Sequence, residues 1–279
     1  MTKSLDLPFL LDGDKITPLD KGHTMARKWL VERGKQKFFL KETNKTIQKE
    51  VYKEISLSTK ALPKLVEQFI QDGKTFSLYE FRESLDFDKM NAQEVLCFAN
   101  LAAEKLKALS KAKASLPKQD IKKTIKTCKE EIGFYFENRQ DNLPLSKEEF
   151  LQLVDKFSTS FEKQKPVLLH GDVKPENIIF DNEVCFVDTD EMRYGPFVFN
   201  FEYSVQMFFD KREHYKTFLW QLVYNFYDGE LPTEFENNLK FVCIKKFFNR
   251  AKMFICAKDR KGEQDFVEEF VPIFEFLKQ

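Results

Sequence analysis

The chain has 279 residues, 42% of them hydrophobic, enough for a well-buried core and for two lobes. Lys plus Arg and Asp plus Glu each number 45, so no net field draws nucleic acid or a membrane surface. Five scattered cysteines (Cys97, Cys128, Cys185, Cys243, Cys256) without a C-x-x-C pair, and only 3 histidines, argue against a disulfide framework or a zinc site. The 31 phenylalanines read as core packing. No apolar run approaches the roughly 18 residues that span a bilayer, and the opening stretch lacks a signal peptide's unbroken apolar region. A soluble, cytoplasmic protein with no nucleic-acid or membrane partner is expected.

In chain order, Trp29-Leu30-Val31 and Phe38-Phe39-Leu40 flank Glu32-Arg33-Gly34-Lys35, a hairpin signal. A helix follows from about Thr46 to Ser58, with Ile47, Val51, Ile55 and Leu57 approximating one face. Leu65–Ile70 and Thr75–Phe81 then flank Asp72-Gly73, a dipeptide that suits the positive-φ positions of a tight turn. From Asn91 to Ala112 the spacing of Val95, Leu96, Phe98, Leu101, Ala102, Leu106 and Leu109 is helical. Ser146-Lys147-Glu148-Glu149 is a capping box, and the last 80 or so residues read as three or four Phe- and Tyr-rich helices. The pattern implies an α+β fold. A small antiparallel sheet plus one helix over residues 1–83 precedes a larger, mainly helical part over residues 84–279.

One non-helical island interrupts the helical half, from Val167 to Val187. It reads as an apolar strand, a polar loop, and a hairpin of Ile178-Ile179-Phe180 with Val184-Cys185-Phe186-Val187. Its loop is His170-Gly171-Asp172-Val173-Lys174-Pro175-Glu176-Asn177, and Phe186-Val187 lead into Asp188-Thr189-Asp190. Asp, Asn, Pro and Gly also suit an ordinary turn, but here the whole order of strand, loop, Asn, hairpin and second Asp is present.

This order resembles the catalytic and metal loops of the kinase superfamily, in which D-x-x-x-x-N is followed by a second Asp. His170-Gly171-Asp172 and Asp188-Thr189-Asp190 narrow the resemblance to the aminoglycoside phosphotransferase and choline kinase-like group, with a two-lobed protein-kinase-like fold. Gly195-Pro196-Phe197 and Phe201 are similar to that group's G-D-P-x-x-D/E-F stretch, with its middle Asp missing. Ile16-Thr17-Pro18-Leu19-Asp20-Lys21-Gly22 looks like its nucleotide-covering loop.

The resemblance implies ATP or GTP as donor, Mg2+ as cofactor and a small-molecule hydroxyl as acceptor. Asp172 would orient the hydroxyl and take its proton, and Lys174 would steady the moving phosphoryl group. Asn177, Asp188 and Asp190 would serve the metal, using the hard oxygens that magnesium prefers. Lys41, at a strand end, would clasp the phosphates with Glu50 (or Glu54) orienting it. Gly22 and the stretch Tyr79-Glu80-Phe81 would cover the phosphates and offer hinge groups to the base. His170 reads as a strut.

An acidic tail (Glu263, Asp265, Glu268, Glu269, Glu275) would suit a polycationic aminoglycoside, though charge runs are usually solvated faces. Choline or ethanolamine is the alternative acceptor, since the aromatic content suits an ammonium cage. A Ser/Thr protein kinase is the next alternative, on the loop Val173-Lys174-Pro175-Glu176-Asn177. Against it, no Arg precedes Asp172, no long activation segment exists and no A-P-E follows. A nucleotide-binding pseudokinase is the third.

Overall fold

The computed structural model describes residues 7–19, 27–44, 47–139, 143–161, 164–181 and 183–279. Strands β1 (Lys15–Pro18), β2 (Lys28–Arg33), β3 (Gln36–Thr43), β4 (Leu65–Gln71) and β5 (Lys74–Glu80) form an antiparallel sheet in the order β1-β2-β3-β5-β4. Both expected hairpins are present. Gly34 turns the first with φ 59°, and Asp72 and Gly73 turn the second with φ 51° and 72°. The two-residue period of β3 buries Phe38 and Leu40 with Val31, Phe76 and Leu78 on one face. Phe39 and Lys41 therefore project from the other. Pro18 sits in β1, an edge strand, where a missing N–H costs the sheet nothing.

Helix α1 (Lys49–Thr59) lies between β3 and β4 in sequence and buries Tyr52, Ile55 and Thr59, whereas Leu57, expected on that face, falls two residues from Ile55 on the far side and is exposed. The rest is mainly helical: α2 (Ala92–Lys111), α3 (Ile121–Asn138), α4 (Lys147–Ser158), α5 (Glu213–Phe226), α6 (Thr233–Ala257), α7 (Arg260–Glu269) and α8 (Val271–Lys278). Asn91 with Glu94, and Ser146 with Glu149, close reciprocal capping boxes at the starts of α2 and α4. Most of the phenylalanines fill the core, while Phe39 lines a cleft and Phe69 is exposed. The Phe247 ring packs against Phe248, Phe266, Phe270 and Phe274 with centroids 5.0–5.8 Å apart. Among the described residues no helix is long and apolar enough to cross a membrane.

The island folds as β6 (Val167–Leu169), a 3-10 turn at Pro175–Asn177, β7 (Ile178–Ile179) and β8 (Cys185–Phe186). The β7–β8 ladder is two residues long on each side, shorter than the sequence pattern suggested. Strand β9 (Arg193–Gly195) returns to pair with β6, so the reacting loop and the 188–192 segment share one support.

The connection after β5 is fastened to the β7–β8 turn. Arg82 grips Asp181 through Nε and Nη2 at 2.8 and 2.5 Å and donates to Glu183 O at 3.0 Å. Leu85 N–H donates to Phe180 O at 2.7 Å, and Phe186 N–H donates to Ala61 O at 2.7 Å. The sheet and the helical part thus meet along a stapled seam, and a cleft opens between them.

Candidate active site

The loop after β6 is shaped around Gly171. Its φ is 88°, and a Cβ there would lie 2.4 Å from Glu191 O. Both the left-handed backbone and the close approach demand glycine, so no arginine fits beside Asp172. His170 is fully buried, with its imidazole Nε2 at 2.9 Å from Val187 O. Burial first of all holds the imidazole below its ordinary pKa, so it stays neutral with the proton on Nε2 facing that carbonyl. The strut role is what this geometry provides.

Val187 joins the two chemical loops. Its N–H donates to Asn177 O at 2.8 Å while its carbonyl meets His170, so Asp188 follows from a fixed point. Asp188 itself has φ 64° and ψ 59°, a left-handed conformation that a non-glycine residue adopts at a cost. Asp172 is half-buried, and its Oδ2 accepts from Lys174 Nζ at 2.8 Å and from Asn177 Nδ2 at 2.7 Å. Its Oδ1 is buried with no hydrogen-bond partner among the described residues.

Lys41 is buried in β3, and its amine bridges Asp188 at 2.7 Å and Asp190 at 2.8 Å. Burial alone would lower its pKa, but the two carboxylates outweigh burial and raise it. Burial would likewise raise Asp188, yet Lys41 brings it below the ordinary carboxylate value. The expected pairing of Lys41 with Glu50 or Glu54 is replaced by this three-residue cluster. Both glutamates are exposed, because Tyr52, Ile55 and Thr59 form the buried face of α1 and the glutamates lie away from it.

Among the described residues no group of three or more His, Cys, Asp or Glu could hold a metal ion. What the site offers is two carboxylates and an amide: Asn177 spends its Nδ2 on Asp172, leaving its carbonyl oxygen. That donor set fits magnesium, which takes one or two carboxylates and completes its shell with water and phosphate oxygens.

The adjoining cleft is open to solvent and is lined by Phe39, Lys41, Tyr52, Tyr79, Ile179 and Asp188, among others. Glu80, Phe81 and Arg82 also line it. The hinge expectation needs one shift, however. Glu80 N–H donates to Lys64 O at 3.0 Å and Phe81 N–H to Lys37 O at 3.2 Å, so both amides belong to the sheet. Ile16 to Pro18, expected in a covering loop, lie in β1, and Gly22 falls outside the described residues.

The sequence matches the model of the phosphotransferase enzyme family over residues 15–215. The chain belongs to that family. The fold agrees. Aminoglycoside phosphotransferase APH(4)-Ia, as a thermostable mutant, superposes with a TM-score of 0.67 at 11% identity, covering 94% of each chain. Spectinomycin phosphotransferase APH(9)-Ia in its AMP-bound complex gives 0.62 at 13% identity over 90% of each chain. The GDP complex of an aminoglycoside 2'-phosphotransferase-IIIa mutant gives 0.60 at 17% identity, covering 95% of this chain and 91% of that one. No curated protein sequence matches significantly.

In this member of the phosphotransferase family, two features escaped the sequence reading. Asn200, in the 3-10 turn Phe197–Phe201, accepts from His170 N–H at 2.8 Å and Gly171 N–H at 3.2 Å through its side chain. Its own carbonyl takes Val173 N–H at 2.7 Å. The Asp/Glu position of the G-D-P-x-x-D/E-F stretch is thus filled by an amide that does the anchoring, a signal readable one residue before Phe201. The acidic tail is the second. Glu263 is buried against Arg139 at 2.7 Å and acts as an internal strut, while Asp265, Glu268, Glu269 and Glu275 face solvent.

Proposed function

We propose that the protein transfers the γ-phosphate of ATP or GTP to a hydroxyl of a small molecule, with magnesium. Residues 1–83 would bind the nucleotide, and residues 84–279 would carry the loops and the acceptor. One observation carries the reading. Asp172 has one oxygen fixed by Lys174 and Asn177, and the other has no hydrogen-bond partner among the described residues, leaving it to accept a hydroxyl. The buried lysine that would clasp the phosphates, Lys41, reaches the two carboxylates that would hold the metal.

Phosphoryl transfer asks mainly for alignment and charge neutralisation, because its transition state is loose and charge-dispersed. Asp172 Oδ1 aligns the acceptor hydroxyl and takes its proton late. Lys174, 2.8 Å from the other oxygen, holds that carboxylate in place and neutralises charge as the phosphoryl group moves. Asn177, Asp188 and Asp190 would hold magnesium, which supplies charge neutralisation at the phosphates. Phe39, Tyr52 and Tyr79 give the base an aromatic bed, and the main chain beyond Phe81 its edge contacts.

An aminoglycoside as acceptor draws on the fold neighbours, one of which was solved as a ternary complex with ADP and hygromycin B. The test is release of nucleoside diphosphate from ATP or GTP with magnesium, across aminoglycosides, choline, ethanolamine, simple sugars and a basic protein. Turnover with a small molecule that Asp172→Ala abolishes, while nucleotide still binds, supports the reading. Phosphate on the basic protein alone points to a protein kinase. Binding without transfer to anything, with function intact in Asp172→Asn, points to a pseudokinase.

A further inference from the structure

The charges around Asp172 do not balance. Tyr203 stands beside the reacting loop, since the next residue, Ser204, donates its hydroxyl to Val173 O at 2.5 Å. The amine of Lys246, on α6, lies 5.2 Å from the centroid of the Tyr203 ring. Neither Lys246 nor Arg250, one turn along the same helix face, has a carboxylate within ion-pair distance among the described residues.

The nearby acids are already committed. Glu202 is held by Arg193 at 3.0 Å and by Lys245, and Glu191 lies 3.8 Å from Arg193. Asp172 is paired through its Oδ2 with Lys174 at 2.8 Å.

Lys246 is half-buried, and burial depresses its pKa, with Arg250 adding to the depression. Glu202 and Asp172 pull the other way, while Lys174 adds to the depression, so all these charges lie in each other's field. A half-buried cation without a counter-ion is costly. A bound anion relieves that cost, and a polycation would add to it.

Resting on the phosphotransferase reading, we infer that the acceptor carries an anionic group, carboxylate or phosphate, beside its reacting hydroxyl, and that Lys246 with Arg250 holds it beside the reacting loop. The class is hydroxy acids, sugar acids and sugar phosphates. Transfer breaks the bond from the γ-phosphorus to the β–γ bridging oxygen and forms one to the acceptor oxygen. The hydroxyl proton passes to Asp172, and the nucleoside diphosphate leaves with the bond's electron pair.

The experiment uses matched pairs that differ in charge: glycerol and glycerate, glucose and gluconate, ribose and ribose 5-phosphate, with an aminoglycoside as the cationic arm. Diphosphate release is measured for each, together with calorimetric binding to the full chain saturated with a non-hydrolysable nucleotide. The expected result is at least tenfold tighter binding of the anionic member of a pair, and faster release where its hydroxyl is in reach. Lys246→Gln and, at an exposed position, Arg250→Gln should each shrink that ratio severalfold, and carboxylate against phosphate pairs tell the two anions apart.

A preference for the neutral or cationic ligand overturns the inference. So does equal or absent binding across every pair, or an effect of Lys246→Gln on nucleotide binding in place of the acceptor. Diphosphate release that never occurs, with anion binding intact, would instead overturn the phosphotransferase reading and leave the anion site standing.

Discussion

Asn200 holds the reacting loop by one side-chain oxygen, and its own Nδ2 is buried without a partner among the described residues. Replacing it with leucine strands the N–H groups of His170 and Gly171, each worth about 1–3 kcal/mol when left buried and unpaired. Asn200→Leu should lower the melting temperature and cost at least about tenfold in kcat through misplacement of Asp172. Asn200→Asp keeps both acceptors and should stay far closer to the parent in melting and steady-state assays. Equal loss in both variants would mean that the amide does not act through the loop. Asp172, Lys174, Asn177 and Asp188 were legible because they lie in one short stretch whose spacing is itself the signal. Asn200 and Lys246 were not, because they reach that stretch only through packing of the 3-10 turn and α6.

Arg82 makes several of the polar contacts across the seam at once. Arg82→Ala leaves Asp181 without its bidentate partner at a place that also lines the cleft beside Lys41. The expected outcome is a loss of about 1–3 kcal/mol in denaturant unfolding, with weaker nucleotide binding by calorimetry. At the far edge of the sheet, Arg33 clasps Asp14 at 2.9 and 2.8 Å and also donates to Phe9 O, pinning the chain before β1. The hydrogen bonds from Arg33 chiefly lower the Asp14 pKa, against a small opposing effect of burial. The native carboxylate therefore binds protons less readily than the unfolded one, and its stabilisation, on the order of 1 kcal/mol, is present above about pH 4 and lost below it. Asp14→Asn should melt lower than the parent at pH 7, and the two curves should converge as pH falls through 4. The hairpins were legible because turn chemistry at Gly34 and Asp72-Gly73 is local. Helix α3 went unread, although Ile121, Ile125, Cys128, Ile132 and Tyr135 are helically spaced after an Asp120 cap. Strand β9 is only three residues long, and its partner lies some 25 positions earlier, so nothing in its own composition announced it.

At the scale of the whole molecule, the change from alternating to helical periodicity near residue 90 made the two-part architecture readable. Burial of single charges was not readable, which is why Glu263 looked like part of a surface field and proved to be a strut to Arg139. The same principle governs the junction of the two parts, where a sheet lysine, Lys41, neutralises two carboxylates of the helical part. A divalent cation bound there competes with that amine for the same oxygens. Lys41→Met removes the competitor and leaves Asp188 and Asp190 repelling each other in a partly buried site, so the variant should be less stable than the parent without ligand. Magnesium alone should then raise its melting temperature more than it raises that of the parent. With nucleotide, the order reverses. The parent at a hundredfold excess over Kd gains about 2.7 kcal/mol, and the variant gains less because the phosphates have lost their clasp. Differential scanning calorimetry with magnesium, then with magnesium and a non-hydrolysable nucleotide, separates the two effects. A magnesium shift no larger in Lys41→Met than in the parent would show that Asp188 and Asp190 are not where the metal binds.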